Sequence, residues 1–328
     1  MQRREFLTLV ASATAACPFA AWAQEPSRAY RIGMLWPFPR NAPSAGGGAI
    51  EIFDELQRHG FIEGQNLSIE FRAWGQAADR ISEYAAELVN ARVDCIVAGG
   101  PLAIRVAQQA TKSIPIIGIT DDMIGAGFVM SMARPEGNTT GISLLATELD
   151  GKRQEILAEA VPGLRRMATL ADDNATATAE LDALQQAARA RNIELSIHRI
   201  AKSDEIASAI DLAKTSGAAA LNILASPMLD ANNRAIMDRV ATLRLPAIYQ
   251  WPERAEEGGF VAYGPRFTQI LRYLLVRQIV RLLRGAKIAD IPVEQPTKFE
   301  LVINLKTAKA LGLTVPLSLQ GRADELIE

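Results

Sequence analysis

The sequence predicts an α/β protein with two lobes, each containing a parallel β-sheet that is covered by helices on both faces. Its 328 residues exceed one domain of ordinary size. Short apolar runs alternate with longer amphipathic segments along most of the chain, and this alternation is typical of successive β-α-β units. Turn residues at 132–142 divide the alternation into two series, which indicates two doubly wound lobes.

The first series contains β-rich runs that are separated by amphipathic segments. The predicted strands are 30–36, 67–71, 93–98 and 115–119. The predicted helices between them are 50–59, 79–90 and 102–111. Apolar residues recur along the third of these helices at about helical spacing, so one of its faces is predicted to pack against the sheet.

The same alternation resumes in the second half of the chain. The predicted strands are 167–171, 193–200, 219–224 and 247–249. The predicted helices between them are 180–191, 204–215 and 231–243. Because the connection between neighbouring parallel strands is almost always right-handed, few topologies remain for either series.

Three extended segments are predicted to join the two lobes, with a long helix at 267–283 after the second of them. These crossing segments are 139–143, 260–265 and 291–303. A chain that crosses three times contributes two segments to each lobe. The predicted lobes are residues 28–141 with 264–290, and residues 142–263 with 291–328.

Closure of two such lobes would bend the chain where it crosses between them. The predicted hinge residues stand at the first two crossings. They are Asn138, Thr139, Tyr263 and Gly264.

Residues 1–23 have the composition of a signal peptide. Arg3 and Arg4 precede an apolar run at 6–21, and the run ends in Ala21-Trp22-Ala23, which places small residues at the two positions that a signal peptidase reads. The paired arginines also resemble a twin-arginine export motif, so both export routes stay open. We expect an exported protein that is cleaved after residue 23.

The charge balance excludes one broad class of partner. Lys and Arg together number 35 and Asp and Glu together number 37, which gives a formal net charge of −2. A chain without a basic excess cannot neutralise many backbone phosphates. We therefore expect no nucleic-acid partner.

Cysteine and histidine are too scarce for a metal or disulfide framework. The sequence has two of each, and the cysteines are Cys17 and Cys95. Cys17 lacks the preceding leucine of a lipoprotein signal, so no lipid is expected there. Cys95 lies in an apolar run, which predicts core packing. We expect no structural metal and no cofactor.

No arrangement typical of an enzyme is evident. His59 ends a predicted helix beside Gly60, and His198 lies on a predicted strand with outward parity relative to its apolar neighbours. Motifs of the G-x-S-x-G, G-x-x-x-x-G-K-[ST] and G-x-G-x-x-G types are absent from the sequence. These absences favour a binding protein over an α/β enzyme.

Residues that follow the predicted strands are candidate ligand contacts, because ligands of open α/β sheets bind beyond the carboxyl ends of the strands. These candidates are Trp36, Gly99, Gly100, Pro101, Asp121, Asn174, Ser226, Tyr249 and Trp251. The glycines allow backbone N–H groups at the start of a helix to approach a ligand carboxylate.

The other candidates point to an organic ligand with a ring. Trp36, Tyr249 and Trp251 are predicted to form apolar walls, although each could instead pack within its own lobe. The predicted polar contacts come from Asp121, Asn174 and the hydroxyl of Ser226. An aspartate is suited to an ammonium group, as an amino acid would carry.

Residues 121–142, DDMIGAGFVMSMARPEGNTTGI, resemble the linker of a family of bacterial ABC transporter substrate-binding proteins that is related to tryptophan/tyrosine-type uptake proteins. Further segments that agree with this family are 258–265, 292–299, 304–312 and 322–327. The resemblance implies the type I periplasmic-binding-protein fold, a ligand in the cleft between the lobes, and delivery to an ABC permease. Asp122-Met123 replaces the usual Pro-Val of the family, and Trp36-Pro37-Phe38-Pro39 is unusual in the first loop. The ligand is therefore not implied by the resemblance.

The expected function is the capture of a small organic ligand in the periplasm for an ABC importer, by a monomer and without catalysis. An aromatic amino acid, an aromatic carboxylate and a branched aliphatic acid all fit the candidate residues. The alternative is a periplasmic sensor subunit that presents the ligand to a receptor kinase, because both roles use the same cleft.

Overall fold

The computed structural model describes residues 29–42, 49–75 and 77–328, so the predicted signal peptide and Cys17 lie outside the described residues. Within the described ranges the chain forms two β-sheets, one with five strands and one with seven. No helix in these ranges has the length and apolar character that a bilayer-spanning segment requires.

The first sheet is parallel throughout and is built from the first part of the chain. Its strands are β1 (Tyr30–Trp36), β2 (Leu67–Ala73), β3 (Cys95–Gly99), β4 (Ile116–Thr120) and β5 (Thr139–Ser143), in the order β2-β1-β3-β4-β5. Its helices are α1 (Ile50–Arg58), α2 (Ile81–Asn90) and α3 (Pro101–Ala110). Every strand predicted for the first series is present.

The second sheet contains the strands of the second series and three more. Its strands are β6 (Arg166–Asp172), β7 (Glu194–Ile200), β8 (Ala220–Ile223), β9 (Ala247–Tyr249), β10 (Val261–Gly264), β11 (Glu300–Asn304) and β12 (Glu325–Ile327), in the order β12-β11-β10-β9-β8-β6-β7. Its helices are α4 (Ala146–Ala160), α5 (Thr178–Ala190), α6 (Ile206–Thr215), α7 (Pro227–Ala231), α8 (Asn233–Thr242) and α9 (Pro252–Glu256).

One pair of strands in the second sheet runs antiparallel. β11 is antiparallel to β10, while β12 is parallel to β11. The reason lies in the crossings, because the chain leaves the second sheet at the end of β10 and re-enters it through β11 from the opposite direction. The expectation of a parallel sheet therefore holds from β7 to β10 and fails at this edge.

The segment between β10 and β11 returns to the first lobe. It forms α10 (Phe267–Gln269), a π-helical stretch (Ile270–Leu275) and α11 (Val276–Leu283), which together correspond to the predicted long helix. Leu271 and Ile279 of this segment share a buried cluster with Ile32 and Met34 of β1. Burial of this apolar face attaches the returning helix to the first sheet. The short helices α12 (Leu305–Ala310) and α13 (Leu317–Gln320) complete the second lobe.

The helix α4 was not predicted. Its side chains Asp150, Arg153 and Gln154 are at most 1% exposed, so polar residues share its buried face with the apolar residues of its C-terminal half, Ile156, Leu157 and Ala160. The periodic apolar pattern by which an amphipathic helix is recognised is therefore absent from the sequence of α4.

The crossing between β5 and α4 falls later in the chain than predicted. β5 ends at Ser143, and Leu145, with a φ of 60°, turns the chain into the second lobe. Asn138 and Thr139 lie at the opposite end of β5, where the Asn138 side chain donates to the carbonyls of Thr111 and Ile114. These bonds hold Asn138 within the first lobe, so Asn138 and Thr139 lie at the far end of β5 from the crossing at 144–145, and their hinge role stays a prediction.

The second pair of predicted hinge residues stands close to a crossing. Tyr263 and Gly264 are the last residues of β10, and the crossing to α10 follows at 265–266. The third crossing runs beside the first, since the N–H of Ser143 donates to Glu294 O over 2.9 Å and the N–H of Glu294 donates to Gly141 O over 3.0 Å.

Candidate functional site

A cavity of about 480 Å³ lies between the two lobes, at the carboxyl ends of the strands. We call it the inner cavity. Seven of the nine predicted contacts line it, namely Trp36, Gly99, Gly100, Pro101, Asp121, Ser226 and Trp251. Its position is the one expected for open α/β sheets.

Aromatic side chains from both lobes form the walls of the inner cavity. Trp36 ends β1 and Trp251 precedes α9. The ring of Trp251 lies 4.9 Å from that of Phe267 between centroids, at an interplanar angle of 47°. Phe38 also lines the cavity. The loop after β1 thus lines the same cavity as an aromatic residue that follows β9 and one from the returning helix.

Asp230 holds the indole of Trp251 in place. The Trp251 Nε1 donates to Asp230 Oδ1 over 3.1 Å and to Oδ2 over 3.0 Å, and the Gln250 side chain donates to Oδ1 over 3.0 Å. Burial raises the pKa of the Asp230 carboxyl, while Arg254 and the hydrogen bonds from Trp251 oppose that rise. This carboxylate is therefore engaged by the protein itself.

Asp121 presents a carboxyl group that is free for a ligand. Its backbone carbonyl accepts from Leu145 N and from the hydroxyl of Ser143, which fixes the end of β4 at the cavity wall. None of the described residues makes a hydrogen bond to its side chain. Burial, reinforced by the nearby charge of Asp150, raises the pKa of Asp121 to about 7, against a smaller lowering by Arg153.

Buried charged side chains of α4 and α5 lie close to Asp121. Asp150 and Arg153 of α4 form an ion pair in which both side chains are 1% exposed, and Arg153 also donates to Tyr263 O over 3.3 Å. Burial and a hydrogen bond with Asp150 raise the pKa of Glu180, at the start of α5. The raised pKa values of Asp121 and Glu180 reflect carboxyl groups that outnumber the nearby cationic group, and a cationic ligand group beside Asp121 would favour its ionised form.

The backbone N–H groups at the start of α3 are suited to a negatively charged ligand group. Helix α3 begins at Pro101 after Gly100, and no side chain caps this end. The N-terminus of a helix attracts anions, because its first N–H groups lack intrahelical partners. None of the described residues that line the inner cavity is Lys, Arg or His.

Ser226 has a structural role that differs from the predicted one. Its hydroxyl accepts from the backbone N–H of Met228 over 3.0 Å and of Leu229 over 3.1 Å, and it donates to Asp172 over 2.6 Å. These bonds cap α7 and use the hydrogen-bonding capacity of the hydroxyl. Ser226 therefore lines the inner cavity without a free polar group for the ligand.

Two predicted contacts lie outside the inner cavity. Tyr249 is 2% exposed and packs in the core of the second lobe, where burial raises the pKa of its hydroxyl. Asn174 lies further out in the cleft, and its side chain donates to Asp172 and to the carbonyl of Ala201. The structure does not bring Tyr249 to the inner cavity, because the short strand β9 directs that ring into its own lobe.

Sequence reasoning missed several lining residues, among them Phe38, Asp230 and Phe267. Asp230 follows Pro227 by one helical turn, so the start of the short helix α7 could have identified it. Phe267 is the first residue of the helix after the second crossing, a position that no strand end marks.

The two lobes are in contact beside the inner cavity. A Cβ atom added at Gly100 would lie 3.0 Å from Pro227 Cγ, which is tighter than ordinary contact. Gly100 belongs to the first lobe and Pro227 to the second, so this contact closes the cleft.

Comparison with known proteins gives the family. Residues 47–327 match the sequence model of the family described as ABC transporter substrate binding protein, and this match spans well over half of the chain. The chain belongs to the ABC transporter substrate-binding protein family. The resemblance seen in the linker and tail segments is thereby confirmed.

Individual relatives of this substrate-binding protein agree with the assignment. A tyrosine-binding protein of Clostridioides difficile is 26% identical over 264 residues, which cover 79% of this chain and 74% of that protein. A solved ABC domain from Streptococcus pneumoniae in complex with L-Trp has a TM-score of 0.78 at 23% identity, over 90% of this chain and 100% of that one. A conserved domain protein from Vibrio cholerae has a TM-score of 0.80 at 21% identity, over 92% and 99%. The two structures confirm the type I periplasmic-binding-protein fold.

Proposed function

We propose that this substrate-binding protein captures an aromatic L-amino acid in the inner cavity and delivers it to an ABC permease. The observation that carries the proposal is the free carboxyl of Asp121 at the wall of a cavity with aromatic sides. Its partner is the ammonium group of the ligand, the ring lies between Trp36 and Trp251, and the carboxylate meets the N-terminus of α3.

The charge of the inner cavity favours an amino acid over an aromatic acid that lacks an amino group. Asp121 and Asp230 both line the cavity, and its described lining residues include no cationic side chain. A ligand that carried only a carboxylate would bring a third acidic group beside these two and no cation to stabilise their ionised forms. An ammonium group instead forms a charge-assisted hydrogen bond with Asp121.

The relatives support the same ligand class. One is named for tyrosine and another was solved with L-Trp. Both ligands combine an aromatic ring with an ammonium and a carboxylate, the three features for which the inner cavity has matching groups.

Catalysis is not part of the proposal. His59 follows α1, and His198 lies on β7, where its Nε2 is 3.1 Å from the hydroxyl of Ser196. Neither histidine lines the inner cavity. With no general base beside a nucleophile at this site, binding followed by opening of the lobes is the expected cycle.

A thermal-shift screen tests the ligand class. Residues 24–328 are denatured, refolded to remove any trapped ligand, and heated with L-tryptophan, L-tyrosine, L-leucine or indole-3-propionate. A ligand at 100 times its Kd stabilises the folded state by about 2.7 kcal/mol. We expect a rise in Tm with the aromatic amino acids alone. A rise with L-leucine alone would overturn the aromatic roles, and no rise at all would overturn the proposal.

The cellular setting is a periplasmic monomer with a permease partner. Mass spectrometry of the exported protein should show a chain that begins at Gln24. Loss of labelled amino-acid uptake on deletion of this protein would support an importer. Unchanged uptake together with a lost transcriptional response to the amino acid would favour the sensor alternative.

A further inference from the structure

A second cavity lies in the same cleft, outside the first. It encloses about 1110 Å³, opens to solvent, and has walls from both lobes. We call it the outer cavity. Trp74, Pro101 and Leu102 contribute from the first lobe, and Asn174, Lys202 and Met228 contribute from the second. Pro101 and Pro227 line both cavities, so these two prolines form the partition between them.

Trp74 has a buried hydrogen-bond donor without an acceptor. The residue is 7% exposed, and its indole Nε1 has no hydrogen-bond partner among the residues that the structure describes. The Cζ2 atom of the same ring would lie 3.4 Å from a Cβ on Gly100, which places the N–H edge close to the partition. A buried donor that stays unsatisfied is costly, and an acceptor from a ligand in the outer cavity would remove that cost.

The acidic group at the outer cavity is already satisfied. The carboxylate of Asp172 accepts from the Ser226 hydroxyl over 2.6 Å and from the backbone N–H of Asn174 over 2.8 Å. The side chain of Asn174 donates to Asp172 and to Ala201 O, each over 3.2 Å. Neither group therefore competes for a ligand donor.

The groups that remain for a ligand are donors and apolar surface. Lys202 is exposed at the rim and forms no ion pair within the described ranges. Leu102 and Met228 supply apolar walls that face each other from the two lobes. Together with the Trp74 N–H, these groups suit an apolar ligand group that carries a hydrogen-bond acceptor.

We propose that the outer cavity is a second subsite, and that it binds an apolar group bearing a carboxylate or carbonyl oxygen. The acceptor meets Trp74 Nε1 and Lys202, and the apolar part packs on Leu102 and Met228. This inference rests on the proposed function of the inner cavity. The same chemistry has two sources, a free aliphatic carboxylic acid or the C-terminal residue of a dipeptide whose aromatic N-terminal residue occupies the inner cavity.

Isothermal titration calorimetry with three probes tests the subsite. The probes are L-tryptophan, the dipeptide L-Trp-L-Leu and 4-methylpentanoate. Trp74→Phe keeps the ring and removes the N–H, and Lys202→Gln is an exposed change that leaves the core intact. Lys309→Gln, at an exposed position on α12, is the matched control.

We expect Trp74→Phe and Lys202→Gln each to weaken binding at the outer subsite about three- to tenfold, with L-tryptophan binding unchanged and no effect of Lys309→Gln. If the source is a dipeptide, L-Trp-L-Leu binds the native chain more tightly than L-tryptophan does, and Trp74→Phe and Lys202→Gln weaken the binding of the dipeptide. If the source is a free acid, one molecule of 4-methylpentanoate binds beside one molecule of L-tryptophan, and the two variants weaken the binding of 4-methylpentanoate.

Two results would overturn the subsite, and they differ from a failure of the proposed function. Binding of L-tryptophan alone, with no binding of the other two probes, removes the subsite and keeps the proposed function. Binding of the dipeptide with equal affinity in all variants has the same meaning. No binding of any probe removes both proposals.

Discussion

The backbone of Gly100 packs against the ring of Pro227 across the cleft, so closely that a Cβ on Gly100 would lie 3.0 Å from Pro227 Cγ. Gly100 also has a φ of +89°, in the region where L side chains are strained. A glycine is therefore required here both by the local backbone and by the approach of the second lobe.

Gly100→Ala separates these two requirements. We expect the Tm to fall, because the left-handed backbone costs about 1 kcal/mol or more with a Cβ, and we expect ligand affinity to fall about tenfold, because the methyl group obstructs closure. Gly60→Ala is the control, since Gly60 has a φ of +87° with nothing within 4 Å of the added Cβ. Calorimetry and thermal unfolding of both variants give the answer. Equal affinity in the two variants would show that the Pro227 contact does not govern closure.

Asp121→Asn tests the ammonium contact. Loss of a charge-assisted hydrogen bond should weaken L-tryptophan binding about 10- to 100-fold. Asp122→Asn is the control, because the Asp122 side chain is exposed and accepts from the N–H groups of Ile124 and Gly125. An equal loss of L-tryptophan affinity in Asp121→Asn and Asp122→Asn would point to a general disturbance of the cavity.

The stability of the ligand-free protein should depend on pH through Asp121. Its pKa is raised from 3.8 to about 7, so between these values the folded state holds a proton that the unfolded state has released. Stability from this group therefore falls as the pH rises through that window and is constant above it. Thermal unfolding should give Asp121→Asn a higher Tm than the native chain at pH 8, with the difference vanishing near pH 4. A difference independent of pH would contradict this assignment.

Trp251→Leu and Tyr249→Leu distinguish a wall residue from a core residue. Both remove a buried ring, and each should lower the free energy of unfolding by about 2 to 4 kcal/mol. Only Trp251→Leu should weaken aromatic amino-acid binding, about tenfold, because Trp251 lines the inner cavity and Tyr249 does not. Unchanged affinity in Trp251→Leu would remove the aromatic-wall argument.

Ser226→Ala should affect stability more than binding. The lost cap on α7 and the lost bond to Asp172 should cost about 1 to 2 kcal/mol in the free energy of unfolding. Asn304→Ala is a comparable cap variant, since Asn304 accepts from Thr307 N at the start of α12, away from the cleft. We expect both variants to bind L-tryptophan like the native chain. A large affinity loss confined to Ser226→Ala would restore the predicted hydroxyl contact.

The strands of both lobes were predictable because the sequence of each buried strand is a nearly continuous run of apolar residues. Residues 30–36 coincide with β1, and residues 247–249 coincide with β9. Helix α4 was not predictable in this way, because Asp150 and Arg153 occupy its buried face as an ion pair. In the sequence, a helix face that buries such an ion pair looks the same as a face that is exposed to solvent.

Among the site residues, the rule of strand ends identified Trp36, Asp121 and Trp251 correctly as lining residues. It also selected Tyr249, whose ring turns into the second lobe. The rule did not select Phe267, because this residue begins the helix that returns to the first lobe after the second crossing.

The sequence by itself determined the α/β class, the division into two series, the family and seven of the residues that line the inner cavity, because these depend on local patterns and on motifs. The tertiary structure alone decided which side chains still have free hydrogen-bonding capacity there. The Ser226 hydroxyl and the Asp230 carboxylate already form hydrogen bonds within the second lobe. Within the described residues, the Asp121 carboxyl and the Trp74 indole N–H form none. Such capacity depends on partners that are distant in the sequence, and only packing of the two lobes determines which partners meet.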